Sequence, residues 1–507
     1  MSVTGSFSTR NAVVSFLIVI AIYVLCTIGV QINWSNNAAV IFEPSCDPED
    51  DLCEGVGSQI QEVDHDLGQP SWYTDMTRHL LNILGYSDNT TSTTLHHNIG
   101  TTKAFDKKDC FLTNKLDKPG MPIVHSIFAD SISQEVIMTG VLRGFFDSWH
   151  KETFRCEFEV DTYTQIVTYT DPIVQDFKRF GEEPQYSVVI TCPLPKELSQ
   201  VEQFRMNLTP ASNTTVSYKN IIVCQGVPIK DTRKHVLTMC TMTKNMDRYV
   251  PNWLNYHKFL GVEHVIIYDN SPKSTLPKTA RRYIDNGFLT IIPWAHHHSA
   301  NKTYLEVQVA SENDCMWRYK HKTQWMIKID VDEFLQPMDP NRTKITDYLT
   351  DDKLNFRTLG SVRIQNWFFC RHKQVNYAAL KPLHSQRSVF ERNLVRNAKP
   401  SAINRGRDKA IARPGNIHYY KIHGVKLGGD TISLSPTTEM RLVHYRGDNP
   451  RHAGFCSGKN VADFSMIRLW HRLHGADMRE LEVHLGKMLE LIRGKGKKEK
   501  EINKKSL

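Results

Sequence analysis

No CxxC pair and no cluster of Cys and His at zinc-ligand spacing occurs in the 507 residues, which argues against a reduced, zinc-held scaffold. A basic face interleaved with aromatics is missing too. The formal net charge is only +9, and part of it lies in one basic run between residues 495 and 505, so a nucleic-acid partner is not expected. Charged residues make up 23% and hydrophobic ones 40%, a composition that excludes a largely disordered chain. The length suits about two or three domains with linkers. Lysine and arginine are absent between Arg10 and Arg78, and inside that gap residues 12–30 form an apolar run. At about 1.5 Å per residue such a run crosses a bilayer core of roughly 30 Å. A cleaved signal peptide has a shorter apolar core, roughly seven to fifteen residues, so an uncleaved anchor over 11–31 behind a cytosolic tail (1–10) is expected. Glu43, Asp47, Glu49, Asp50, Asp51 and Glu54 follow the run, whereas Arg10 precedes it. Positive-inside logic then places the C-terminal bulk outside the cytosol, as in a single-pass type II protein.

Of the cysteines, Cys26 lies in the apolar run and ten lie beyond it: Cys46, Cys53, Cys110, Cys156, Cys192, Cys224, Cys240, Cys315, Cys370 and Cys456. An even lumenal set suits disulfides, with connectivity left open. Sequons at Asn89, Asn207, Asn213, Asn301 and Asn341 agree with a secretory glycoprotein.

Residues 32–109 are rich in Asp, Asn, Ser and Thr and read as a stem, with a short helix at 75–84. Across 110–230, alternating runs such as 162–170 and 186–192, broken by Pro and Gly, predict a small β-rich accessory domain. From 231 to 470 the pattern becomes βαβαβαβ. Strands are predicted at 235–242, 262–268, 288–294 and 324–329, and helices at 248–260, 278–285 and 304–319, with Gly261 and Gly287 as stops. Such a series calls for a mostly parallel, doubly wound α/β sheet that binds ligands beyond its C-terminal strand ends. The tail, 471–507, holds an amphipathic helix at 474–492 and a basic end.

The last predicted strand delivers Asp330-Val331-Asp332 into a turn. Two carboxylates one residue apart can share a hard cation, Mn²⁺ or Mg²⁺, while diphosphate oxygens complete its shell. That ion would neutralise charge on a departing nucleoside diphosphate. An acidic surface turn is the plain alternative.

Several segments resemble one known family. They are Trp253-Leu254-Asn255-Tyr256-His257, Leu260-Gly261-Val262-Glu263-His264-Val265-Ile266-Ile267-Tyr268-Asp269-Asn270, Asn313-Asp314-Cys315 and Asp330-Val331-Asp332-Glu333-Phe334-Leu335, followed by Lys409-Ala410-Ile411-Ala412-Arg413-Pro414 and His444-Tyr445-Arg446. Together they are similar to glycosyltransferase family 92, over roughly residues 234–468. Within it the chain is most similar to the nematode β-1,4-galactosyltransferase type that modifies core fucose of N-glycans. The resemblance implies a GT-A type, Rossmann-like catalytic domain, UDP-galactose as donor, Mn²⁺ as cofactor, inversion at the anomeric carbon and a fucosylated N-glycan or glycoprotein as acceptor. It does not exclude another acceptor such as galactose, and a homodimer stays open.

Carried over by position, Asp330 and Asp332 would meet the metal and the diphosphate. His444 would be a third ligand or a structural histidine. Tyr268, Asp269 and Asn270 would lie near uracil or ribose, or form a turn. Lys409 and Arg413 would bind phosphate, or be surface cations. Inversion needs a general base, for which Glu391, Asp430 and Asp448 are candidates, Glu391 first. Asn366-Trp367-Phe368-Phe369 offers an aromatic platform for a sugar, with buried packing the stronger reading. His296-His297-His298 looks like a metal site, yet neighbours on an extended chain point different ways. A metal-dependent phosphohydrolase and a non-catalytic, lectin-like protein are the rival functions.

Overall fold

The computed structural model describes residues 93–96, 115–142, 151–177, 185–227, 233–297, 304–371, 388–401, 407–445, 460–475 and 477–505. The expected anchor, most of the expected stem, Asn89, Asn301, His298, Arg446, Asp448, Cys46, Cys53, Cys110 and Cys456 lie outside these residues. Among the described residues no helix is long and apolar enough to cross a membrane. Residues 47–507 group into one compact unit.

Its N-terminal part is sheet-rich. A four-stranded antiparallel sheet runs in the order Ile123–Asp130, Glu135–Val141, Gln185–Pro193, Ile173–Phe177. A five-stranded one runs Thr93–His96, Thr164–Thr170, Phe154–Glu159, Gln203–Pro210, Tyr218–Cys224. Period-two alternation decides the inner face: Phe154, Cys156 and Phe158 are buried while their neighbours are half-buried. Met138 and Ile190 of one sheet meet Phe158 and Met206 of the other in a common core. The Cys156–Cys192 disulfide ties the two sheets together. Cys224 and Cys370 are also disulfide-bonded. Asn213 and Asn341 are exposed, as an acceptor of a glycan requires. Asn207 instead sits within a strand, where its Nδ2 donates to Glu157 at 3.2 Å and its Oδ1 accepts from the Asn220 N–H at 2.8 Å.

The mixed region opens with β1 (His235–Thr243), α1 (Val250–Phe259), β2 (His264–Asp269), β3 (Leu289–Pro293), α2 (Leu305–Arg318) and β4 (Thr323–Lys328). Gly261, at φ +92°, follows α1 and lets the chain turn back into β2. β5 (Glu333–Pro337), β6 (Leu359–Ile364), β7 (Asn366–Cys370), β8 (Val395–Asn397), β9 (Lys409–Ala412), β10 (Asp430–Ser433), β11 (Met440–Tyr445) and β12 (Asn460–Ala462) complete two sheets. The larger has the order β3-β2-β1-β4-β9-β6-β10, and the smaller β5-β11-β7-β8-β12. Strands β3, β2, β1 and β4 are parallel, as the βα alternation predicts. Beyond them the sheet turns mixed, because β9 enters antiparallel to both β4 and β6.

Alternate residues of the parallel strands serve opposite faces. Leu237, Met239, Val265 and Ile267 pack with Trp253 and Leu254 of α1, whereas Cys240, Ile266 and Tyr268 pack with α2. On its far side α2 meets Phe128, Ile137, Phe177 and Val189 of the four-stranded sheet. Caught between two sheets, it is buried at every position from Leu305 to Trp317. Its polar residues therefore need partners. Asn313 bonds both the N–H and the C=O of Tyr420, at 2.9 Å each. Asp314 accepts from Arg318 at 2.9 and 3.0 Å and from the Tyr268 hydroxyl. Arg318 in turn donates to Ser126 Oγ at 2.9 Å and to the Gly226 carbonyl at 3.2 Å, joining the sheet-rich part to α2. The Cys240–Cys315 disulfide pins the helix to β1.

Arg318→Ala leaves the Asp314 carboxylate buried without its cation, and is expected to cost about 3–5 kcal/mol. Urea unfolding of the full chain measures it; a cost below about 1 kcal/mol would show that Arg318 does not hold the two parts together.

Candidate active site

β4 is an apolar strand, Trp325-Met326-Ile327, that nevertheless carries Lys328 at its end with 3% of the residue exposed. A buried ammonium needs a carboxylate, and two are present. Glu312 of α2 lies 2.9 Å away and Asp330 lies 3.0 Å away. The chain then turns sharply: the Glu333 N–H donates to the Asp330 carbonyl at 3.0 Å, and the Asp330 N–H donates to Glu333 Oε2 at 2.8 Å. That turn hands the chain from the large sheet to β5 of the small one.

Neighbouring strands bring the rest. β9 runs antiparallel to β4 and sets the fully buried Lys409 at the turn, 3.1 Å from Asp330 Oδ2 and 3.2 Å from Glu333 Oε2. β11 pairs with β5 in the register Glu333↔His444. His444 Nε2 then lies 3.4 Å from Asp332 Oδ2, and its Nδ1 3.6 Å from Glu333 Oε1. The outcome is a chain of alternating charge, from Glu312 through Lys328, Asp330, Lys409, Glu333 and His444 to Asp332. With all four acids ionised, two ammonium groups leave it at net −2 when His444 is neutral and −1 when it is protonated.

Burial would raise the Asp330 carboxyl, but the Lys328 and Lys409 ammonium groups outweigh it and hold that carboxyl far below the usual range. Lys328 is held charged in the same way, burial being outweighed by Asp330 and Glu312. Burial lifts Glu333, with Lys409 opposing. Burial would lower His444, yet Asp332 and then Glu333 raise it above its ordinary value.

Of the residues expected from sequence, Asp330, Asp332, His444 and Lys409 come together here. Lys409 spends its ammonium on two carboxylates, so its role as a phosphate contact is corrected to that of a buried counter-ion. Arg413 is at the far end of β9, about 13 Å along the strand. There it donates to the carbonyls of Leu354 at 2.8 Å and Phe356 at 3.2 Å and stacks on Trp325, a structural role. Asp430 pairs with Leu359 at the start of β6, whereas Lys409 pairs with Ile364 at its end. Asp430 is thus on the opposite edge of the sheet and cannot act as a base at this cluster. Glu391 is 2% exposed and caps a short helix, accepting from the Ser388 N–H at 2.8 Å and hydroxyl at 2.9 Å. That is a capping box, not a catalytic base.

Tyr268, Asp269 and Asn270 do end β2 at the same sheet edge as Asp330, but they are used internally. Tyr268 is fully buried against Asp314, Asp269 accepts from the Ser271 N–H at 3.0 Å, and Asn270 donates to the carbonyls of Trp294 and His296 at 2.6 and 2.8 Å. Trp367, Phe368 and Phe369 are buried, so packing wins over a sugar platform. His296 is buried against Trp294 and His125, while His297 is exposed. Among the described residues no group of three or more His, Cys, Asp or Glu side chains is already gathered as a metal cage. Sequence reasoning missed Lys328 and Glu312. A lysine inside an apolar strand was the available signal.

Against this geometry the sequence comparisons are specific. The model of glycosyltransferase family 92 matches residues 233–473, the whole stretch that carries the charge chain apart from the tail helix. These residues form a glycosyltransferase family 92 domain. A family 92 protein of Arabidopsis thaliana is 24% identical over 229 residues, 40% of this chain and 36% of that protein. A beta-1,4-galactosyltransferase of Caenorhabditis elegans is 21% identical over 347 residues, 65% of this chain and 72% of that one. The match thus spans little more than a third of the plant relative. Among solved structures, a Pyrobaculum calidifontis mannosyltransferase in complex with GDP-Man and Mn²⁺ aligns at a TM-score of 0.24 and 14% identity, over 44% of this chain and 60% of that one.

The family 92 domain should carry a pH signature of its own. Because the folded-state value of His444 lies above 6.5, its pairing stabilises the fold fully below that pH and is lost as pH rises through the raised value. Melting temperatures in chelator are expected to fall from about pH 6.5 upward, and His444→Gln to flatten that limb. An unchanged slope in the variant would remove His444 from the cluster's electrostatics.

Proposed function

We propose that the domain is a metal-dependent, inverting galactosyltransferase that moves galactose from UDP-galactose in β-1,4 linkage to the core α-1,6-fucose of N-glycans. A single-pass type II anchor would hold it in the Golgi lumen. The observation that carries this reading is the charge chain at the C-terminal edge of the parallel strands, net negative and ending in Asp332 and His444. The family match supports the reaction class, and the name of the nematode relative, a beta-1,4-galactosyltransferase, supports the sugar and the linkage.

The residues present fit a hard divalent ion, Mn²⁺ or Mg²⁺. Asp332 offers carboxylate oxygen and His444 imidazole nitrogen, 3.4 Å apart on adjoining strands. Both oxygens of Asp330 already hold an ammonium, so Asp330 is read as the anchor of the turn and Asp332 with His444 as the ligands. When bound, the ion would stabilise charge on the leaving nucleoside diphosphate. Lys409 and Lys328 keep the turn from shifting, and the Tyr445 N–H, donating to the Asp332 carbonyl at 2.9 Å, fixes the ligand's backbone.

The full chain, incubated with a panel of UDP-sugars and a core-fucosylated N-glycan, is expected to transfer galactose with Mn²⁺ and not in chelator. Asp332→Ala should lower that rate by at least about a hundredfold with cooperative unfolding retained. Hydrolysis of the donor without transfer would point to a phosphohydrolase, and binding of glycan without turnover to a lectin; either result overturns the proposal.

A further inference from the structure

We infer that Glu312 is a positioning residue of the cation site: through Lys328 it orients Asp330, and its charge makes the cluster anionic enough to hold a divalent ion. The inference rests on the proposal that the ion sits at Asp332 and His444. Glu312 is 4% exposed, on a helix packed between two sheets, and stands at the far end of the charge chain from Asp332. It is placed to touch Lys328, not a substrate.

Three consecutive side chains of α2 each grip a different element. Glu312 holds Lys328 of β4 at 2.9 Å, Asn313 holds the Tyr420 backbone at 2.9 Å, and Asp314 holds Arg318 and Tyr268. The disulfide from Cys315 to β1 adds a fourth tie. Glu312 is thus presented from a rigid base, and Gln308 Nε2 at 3.1 Å steadies its Oε1. Its Oε2 is buried without a hydrogen-bond partner. A buried carboxylate with one oxygen unused is expensive for the fold, and Asp330 alone already gives Lys328 a counter-ion. What the second carboxylate adds is negative charge.

Two variants of the full chain separate charge from geometry. Glu312→Gln keeps the size and one acceptor oxygen but removes the charge. Calorimetric titration with Mn²⁺ is expected to show binding about tenfold weaker than wild type. Glu312→Asp keeps the charge and shortens the reach; its Mn²⁺ affinity should stay within about threefold of wild type while kcat falls about tenfold with KM for the donor unchanged. Glu482→Gln, at an exposed ion pair, controls for surface charge and should change neither. Wild-type Mn²⁺ affinity and kcat in a cooperatively folded Glu312→Gln would overturn the inference, as would a Glu312→Asp that loses affinity as fully as the amide. If Glu312→Gln does not fold, the aspartate variant decides by the same two readings. A wild-type chain that binds no Mn²⁺ and transfers no sugar would instead sink the proposed function, and the two failures are told apart by the wild-type titration alone.

Discussion

The ammonium of Lys328, sealed beneath the sheet edge between Glu312 and Asp330, is the contact on which the rest of the site depends. A lysine at that depth is tolerable only with carboxylates within about 3 Å. Its presence therefore dictates that α2 pack at one height against β4, and that the turn after β4 fold Asp330 back over the strand end. Once Asp330 is there, Lys409 has a place, and with Lys409 comes Glu333. Glu312, Lys328, Lys409 and Glu333 are buried at a cost that a neighbouring opposite charge offsets, while Asp330, Asp332 and His444 form the half-exposed rim.

Such a chain is a means of precision more than of stability. Buried ion pairs contribute little net free energy compared with apolar packing, since desolvation cancels most of the Coulomb gain. They are, however, intolerant of displacement, because a shift that separates a pair leaves two bare charges in a poor dielectric. Five elements, four strands from two sheets and one helix, converge on one turn here: β4, β9, β5, β11 and α2. The sheet-rich N-terminal part belongs to the same design. By covering the far face of α2 it leaves the helix that carries Glu312 buried on both sides, and Arg318 fastens that cover.

The turn is also where the two sheets exchange the chain. Lys328 and Lys409 belong to the larger sheet, Glu333 and His444 to the smaller, and Asp330 and Asp332 lie in the turn between them. A ligand at Asp332 would sit on that seam and feel both. The antiparallel entry of β9, which makes the sheet mixed, is what delivers a cation from the opposite chain direction to the C-terminal end of a parallel strand.

Much of this was legible in the chain. Apolar periodicity marked the strands from His235 to Lys328 and the helices Val250–Phe259 and Leu305–Arg318 to within about two residues, because local propensity and burial agree there. The helix expected at 278–285 is instead two short ones, Leu276–Thr279 and Arg281–Asp285. Asp330-Val331-Asp332 marked the turn at which the charge chain gathers, since the acids stand where an apolar strand ends. Arg413, Asp430 and Glu391 show the limit: their residue types suit phosphate or proton chemistry, but strand register carries the first two to the wrong edge and a helix cap absorbs the third. Which edge a residue occupies depends on pairings between segments tens of residues apart, and no local pattern encodes them. By itself the sequence determined the elements, the acidic turn and the family; the tertiary structure alone decided which charges meet, because a buried ion pair exists only where separate elements bring two groups within bonding distance.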